Sequence, residues 1–379
     1  MDFNLTEEQA MLREGVSRFV TENYGFEVRR AIAASDPAFS SAQWQSFADL
    51  GWLALTLPED AGGLGCTAIE SALVTEQLGS ALVLEPYATT AVFAARILEQ
   101  AADPVIRQGS LSAIGEGRLR VAVAHDEPGA RYDLRRVTTT AHRHGGGYLI
   151  SGAKLLAPHA PGADQLIVSA RVGDGEGYGL FLLDRGAPGV QVRSYRLLDA
   201  TPAGDIDLHE VSVDAPALLV DSEQGPRVLE EAIDRLLLAQ VAYALGAMQS
   251  VLEVSAEYVK SRVQFGQPLF KFQATQHRLA EMFVEVQEVR SILYCGLAHL
   301  DAERATRRRM VSAAKAVTAQ AGRLVGGLGI QLHGGIGMTD EYRVGHYFKH
   351  LVVFEKLYGD TDYHLSQVAG AKSAAMAGQ

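Results

Sequence analysis

Twice along its 379 residues this chain changes the period at which apolar side chains recur. Up to residue 117 they recur every three or four positions, as on one face of a helix; over 118–217 they alternate; from 223 the helical period returns and holds. A helical stripe and an alternating strand bury their apolar groups against different neighbours, so they cannot share one uniform layer. The pattern predicts an α+β multidomain chain: an N-terminal helical domain over 1–117, a middle antiparallel β domain over 118–217, and a C-terminal helical bundle over 223–379. The length agrees, because a single core stops growing before this size.

Local signals mark each zone. Thr6 and Gln9 fit a capping box ahead of Leu12, Val16 and Phe19 at helical spacing. Residues 58–65, rich in glycine, read as a loop, and helical patterns run over 68–78 and again from 91. Short β-rich runs follow at 120–124, 165–170, 179–183, 190–193 and 205–213, with Gly145, Gly146 and Gly147 as a hairpin tip before Tyr148. Residues 228–262 are apolar on nearly every face, the mark of a helix inside a bundle. The stripe Leu279, Met282, Phe283, Val286, Val289, Leu293, Leu297 and Leu300 reads as core packing, and 369–379 as a fraying end.

Charge and cysteine usage exclude several roles. A net charge of −11 argues against nucleic acid and anionic membranes, since both need a basic face. Arg307, Arg308 and Arg309 read as a solvated helix end. Only Cys66 and Cys295 are present, far apart in sequence, so neither a disulfide framework nor a metal site is expected. No apolar run approaches the roughly 18 residues of a membrane helix. The acidic opening lacks the pattern of a secretory signal, which predicts a cytoplasmic protein.

Two segments carry chemical information. Arg262-Val263-Gln264-Phe265-Gly266-Gln267-Pro268-Leu269, followed by Phe272 and Gln273, falls where one long helix ends and the next begins. Free N–H groups there, beside an arginine fork, suit a pyrophosphate; they equally suit a capped loop with its arginine paired to a carboxylate. In Gln331-Leu332-His333-Gly334-Gly335-Ile336-Gly337-Met338, the paired glycines allow close backbone approach and Gln331 offers donor and acceptor. The segment is no Rossmann fingerprint, because no strand precedes it.

Taken together in a helical C-terminal zone, the two segments resemble the acyl-CoA dehydrogenase family, and the resemblance covers essentially the whole chain. The opening through Leu5-Thr6-Glu7-Glu8-Gln9, the loop Leu57-Pro58-Glu59-Asp60-Ala61-Gly62-Gly63, Asp126-Glu127-Pro128-Gly129-Ala130, and Tyr148-Leu149-Ile150-Ser151-Gly152-Ala153-Lys154 are all similar to that family. Arg131-Tyr132-Asp133-Leu134 and the segment from Gln331 to Thr339 resemble the pimeloyl-CoA dehydrogenase small-subunit type in particular. The resemblance implies FAD held largely by a neighbouring subunit, with Arg262, Phe265 and Gln273 of this chain on its ADP part and Gln331, Gly334 and Gly335 approaching the same dinucleotide across the dimer interface. It also implies an acyl-CoA thioester substrate, from fatty-acid or steroid side-chain catabolism, an electron-transfer flavoprotein as acceptor, and a homotetramer or heterotetramer.

The chain departs from the family where the reaction needs a base. The glutamate that removes the α-proton precedes Gly-Thr in most relatives; here Tyr358 stands there, followed by Gly359 and Asp360. The alternative glutamate position on the earlier helix falls on Leu236, after Asp234 and Arg235. A tyrosine is a poor substitute, with a reference pKa of about 10 against about 4.3. Leu156 and Pro158 replace the Trp and Thr that face the flavin in many relatives, and proline has no N–H to offer. His125 and His159 are further candidates near that hairpin, and Glu355 a weaker base than Asp360. Three readings follow: a subunit lacking the base and paired with a homologous chain; a self-sufficient homo-oligomeric dehydrogenase using Asp360; and a non-enzymatic assembly or acyl-CoA-binding relative.

Overall fold

The structure, a computed structural model, describes residues 4–377 apart from 174 and 176, with side chains described through residue 370. Met1, Asp2 and Phe3 of the opening motif and residues 378–379 of the expected fraying end lie outside the described residues. The chain forms two compact units. One takes the chain up to Arg30, Ala72–Val83, and the chain from Leu237 onward; the other takes Ala31–Ser71 and Leu84–Leu236.

The first zone is helical, with α1 (Glu7–Asn23), α2 (Phe26–Ala34), α3 (Ser41–Asp49), α4 (Ala68–Ser80), a π-helical stretch (Tyr87–Ala94) running into α5 (Ala95–Leu98), and α6 (Pro104–Gly115). The Thr6 hydroxyl accepts the Gln9 N–H at 3.2 Å and the Gln9 amide oxygen accepts the Thr6 N–H at 3.1 Å, so the capping box is formed on both sides.

The middle zone is β1 (Val121–Ala124), β2 (Thr140–His144), β3 (Gly147–Pro158), β4 (Gln165–Val172), β5 (Gly179–Asp184), β6 (Val190–Arg196), β7 (Pro202–Asp214) and β8 (Leu218–Val220). They form one sheet in the order β6-β7-β3-β2-β4-β5-β8, with β1 on β4. Most pairings are antiparallel; β4 runs parallel to β1 and to the start of β2. Gly145 and Gly146, at φ 56° and 89°, make the two-residue turn that joins β2 to β3. Alternating inward residues, among them Ile150, Leu166, Val168, Phe181, Ile206 and Leu208, build its core. β3 slips register between Lys154 and Ala157, which takes Leu155 and Leu156 out of the ladder.

The last zone holds α7 (Gly225–Ser261), a small hairpin of β9 (Val263–Gln264) and β10 (Gln267–Pro268), α8 (Gln273–Ala298), α9 (Arg304–His333), α10 (Arg343–Lys356) and α11 (Thr361–Ala377). Glycine sets the approach of α9: a Cβ at Gly329 would lie 2.5 Å from the Val251 side chain of α7 and 3.2 Å from Val344 of α10. On α8, Met282, Val286, Val289 and Leu293 are buried as expected, but Phe283 is 54% exposed because it points about 100° round the helix from Met282.

Two expectations change. By length and composition α7 could cross a membrane, since averaged hydropathy tolerates the few charges that interrupt its apolar run; 72% of that window is buried within the protein. Arg307 is buried in α9, so the arginine run is not wholly a solvated face.

Candidate functional site

Arg262 directly follows α7, and its N–H donates to the Tyr258 carbonyl at 2.8 Å, so its backbone continues the helix. Beyond it the chain turns at once: Phe265 and Gly266, at φ 53° and 77°, form the two-residue tip between β9 and β10. A bulky side chain rarely adopts positive φ, and this one stands 90% exposed, its ring edge-on to Phe272 at 6.2 Å. Gln273 opens α8 and is exposed. Among the described residues, the side chains of Arg262, Gln273 and Gln331 have no hydrogen-bond or ion-pair partner.

Gln331 lies in the last turn of α9, and Gly334 ends the helix at φ 63°, ψ −139°, a conformation open essentially to glycine alone. A Cβ at Gly334 or Gly335 would meet nothing within 4 Å, so both expose bare backbone. The structure brings this turn to the end of α7. The ring of Tyr258 stacks on the imidazole of His333, centroids 4.4 Å apart at 29°, and the Tyr258 hydroxyl donates to the His333 carbonyl at 3.4 Å. His333 lies within the segment singled out from sequence, but nothing in the sequence showed which neighbour its ring would meet.

Tyr358 and Gly359 join α10 to α11, with Tyr358 at φ 58° and Gly359 at φ 117°. Asp360 caps α11: its Oδ1 accepts the Tyr363 N–H at 3.0 Å. Buried groups support the turn from beneath. The imidazole of His364 lies 3.2 Å from the Tyr358 carbonyl and 3.2 Å from the Ser312 hydroxyl, and Lys315 donates to the Phe354 carbonyl while its ammonium sits 3.6 Å from the Phe354 ring centroid. Burial pulls Lys315 down to about 7, against the pull of the Glu355 and Asp360 carboxylates, and burial with Lys315 nearby pulls His364 down to about 3. Glu355 is buried and within 3.3 Å of Lys356. Asp234 and Leu236 on α7 are likewise buried. Among the described residues, no hydrogen bond or ion pair joins Asp360 to the Arg262 or Gln331 segments.

In the other unit, the hairpin named from sequence sits over a buried ion pair. Lys154 and Glu127, 0% and 1% exposed at the side chain, meet at 2.6 Å. Glu127 also accepts from both N–H and hydroxyl groups of Thr138 and Thr139, and Lys154 donates to Ser169 at 2.8 Å, which lies 2.9 Å from His125 Nδ1. Burial pushes Glu127 up, but Lys154 and these donors outweigh it and hold the carboxyl down at about 2. Burial takes His125 to about 3, so it is neutral within this network. His159 follows β3 at φ 62°, its N–H donating to Pro202 at 2.7 Å, and burial lowers its ring to about 4. Asp126, two residues beyond β1, is raised to about 6 by burial.

The residues present can be weighed against FAD. A guanidinium, two amides and uncovered glycine backbone, all exposed and unclaimed by the chain itself, match the donors an ADP moiety needs. The hairpin offers less: the Leu156 N–H is taken by Asp205 Oδ1 at 3.0 Å, and Pro158 has none. The dinucleotide end fits; the ring edge would have to be served by other groups.

Matches to family models cover nearly the whole chain: acyl-CoA dehydrogenase N-terminal domain over 6–117, middle domain over 122–215 and C-terminal domain over 223–372. The chain is 29% identical to benzylmalonyl-CoA dehydrogenase of Aromatoleum aromaticum, across 78% of this chain and 79% of that one. Among solved structures it is similar to the Tcur3481-Tcur3483 steroid ACAD, at TM-score 0.88 and 29% identity over 98% of this chain and 99% of that one. It is similar also to the ChsE4-ChsE5 complex from Mycobacterium tuberculosis, at TM-score 0.90 and 28% identity over the same shares, 98% and 99%.

Proposed function

This chain belongs to the acyl-CoA dehydrogenase family of flavoprotein oxidoreductases, and we propose that it is an FAD-binding subunit that lacks the family's glutamate base and pairs with a homologous chain supplying one. The observation that carries this reading is the turn at Tyr358. Where the family's base would stand there is a phenol, and the nearby Asp360 is occupied in capping α11. Two of the similar structures are named for two chains, which favours a heteromeric assembly over a self-sufficient one.

The reaction is oxidation of the Cα–Cβ bond of an acyl-CoA thioester to the 2-enoyl-CoA. A carboxylate takes the α-proton, and FAD, when bound, supplies the acceptor for the β-hydride. This chain's part is to hold and orient: Arg262 for the pyrophosphate, Gln273 and Gln331 for the adenosine half, and the Gly334–Gly335 backbone for close approach. Electrons then pass to an electron-transfer flavoprotein. The substrate is a fatty-acyl, dicarboxylyl or steroid side-chain thioester, and the enzyme works in the cytoplasm.

Two experiments bear on this. Arg262→Ala removes a charge-assisted contact, so FAD should be held roughly tenfold or more weakly, read as the flavin-to-protein absorbance ratio after dialysis; unchanged occupancy would count against the assignment. The exposed Phe265, with Val263 and Met338 at 54% and 77% exposure, is apolar surface that an assembly would cover. Co-expressed with a homologous chain bearing the glutamate, this protein should run by native mass as an α₂β₂ tetramer with bound FAD. A stable monomer that retains full FAD would defeat the assembly reading.

A further inference from the structure

We propose that Tyr258 and His333 form a clasp that keeps the two ADP-holding segments at one fixed spacing, making them positioning residues for FAD. The inference rests on the cofactor reading above and adds to it. The clasp explains how a hairpin after α7 and a glycine turn after α9, about 70 residues apart in sequence, could act as one site.

Each half of the clasp is tied to the segment it would position. Tyr258 is in the last turn of α7, and Arg262 is hydrogen-bonded to its carbonyl at 2.8 Å. His333 is the last residue of α9 and is followed at once by Gly334 and Gly335. The stacked rings join the two, and the Tyr258 hydroxyl binds the His333 carbonyl, one of the end carbonyls that α9 cannot satisfy itself. Tyr342 closes the cluster, 5.0 Å from the His333 ring and 6.4 Å from Tyr258. Gly329 permits it, since any larger residue would push α9 off Val251 of α7.

The imidazole is held as a neutral plate. A carbonyl can only accept, so Nδ1 carries the proton it donates to the Gly329 carbonyl at 2.7 Å. That leaves Nε2 as a bare acceptor, and it has no partner among the described residues in a side chain only 4% exposed. Burial, with Arg343 nearby, lowers the ring's pKa further and keeps a second proton off it. What the ring contributes is therefore its face and its fixed angle. A phenylalanine could supply the face; an alanine could supply neither.

The test measures FAD dissociation constants by flavin fluorescence titration of the apo form of the assembled protein. His333→Ala and Tyr258→Leu should each raise the constant about tenfold, and His333→Phe should restore it to within about threefold of wild type. Met282→Ala, a buried change on α8 away from the clasp, should lower the melting temperature and leave FAD affinity alone. In hydrogen exchange, peptides spanning 262–273 should exchange faster in His333→Ala, although no residue there is changed. If His333→Ala does not fold, Tyr258→Phe, which keeps the stack and loses the hydroxyl contact, should still weaken FAD measurably. Unchanged affinity in His333→Ala or in Tyr258→Phe, or an equal loss in Met282→Ala, would overturn the clasp. A constant raised as much by His333→Phe would overturn the stack as its cause. A wild-type assembly that takes up no FAD would instead refute the cofactor reading, and this inference with it.

Discussion

Replacing Lys154 with methionine should cost about 3–5 kcal/mol of stability, the scale for breaking a buried ion pair from one side. Methionine matches the length of the lysine stem and leaves the Glu127 carboxylate, 1% exposed, without its cation. The four donors of Thr138 and Thr139 remain and soften the loss, so the lower end of that range is the better expectation. The Ser169 hydroxyl and the His125 backbone carbonyl lose the Lys154 ammonium as a donor as well, which loosens the backbone beneath β3. Urea unfolding at pH 7 reads the effect; a loss below about 1 kcal/mol would show that Lys154 is not holding a charged glutamate.

The same pair has a pH signature. Glu127 is held at about 2, below its unfolded value, so its contribution is fully present above the ordinary glutamate range and is lost as pH falls through that range toward about 2. Wild-type stability should decline over that window. Lys154→Met should show a shallower decline, because without the lysine the carboxyl's folded value rises toward or past its unfolded one.

Much of this architecture was legible in the residues, for reasons that can be named. The capping box at Thr6, the glycine tip before Tyr148 and the buried face of α7 follow from local chemistry, and local chemistry is what a sequence displays directly. Phe283 misled because a stripe counted by spacing alone does not say how wide the covered face is. The length of α7 misled because uninterrupted apolar runs and averaged hydropathy are different quantities. Among the site residues, the exposed and unclaimed side chains of Arg262, Gln273 and Gln331 were visible as a motif. The Tyr258–His333 stack was not, since it depends on how closely α9 approaches α7, and Gly329 sets that distance by a clash no spacing rule records. The sequence offers Asp360 as a carboxylate near the expected base position; in the structure its Oδ1 caps α11, a role that its position just ahead of Thr361 also signals.

That cap makes the catalytic claim sharply testable. Asparagine caps a helix as well as aspartate does, so Asp360→Asn removes the charge and keeps the turn. If Asp360 were the base, the substitution would slow flavin reduction by about 10²–10⁴-fold, the usual contribution of positioned proton transfer. If the base comes from a partner chain, the substitution should leave the rate almost unchanged, and the isolated chain should be slow with or without it.

The most direct measurement is anaerobic stopped-flow bleaching of the flavin by a panel of fatty-acyl, dicarboxylyl and steroid side-chain CoA thioesters. It would be run on the FAD-loaded chain alone, on its Asp360→Asn variant, and on each after addition of the glutamate-bearing homologue. Both isolated forms should bleach slowly, and both should speed up equally, by orders of magnitude, once the partner is present. Rapid bleaching by the isolated chain would contradict this, and its loss in Asp360→Asn would place the base on Asp360.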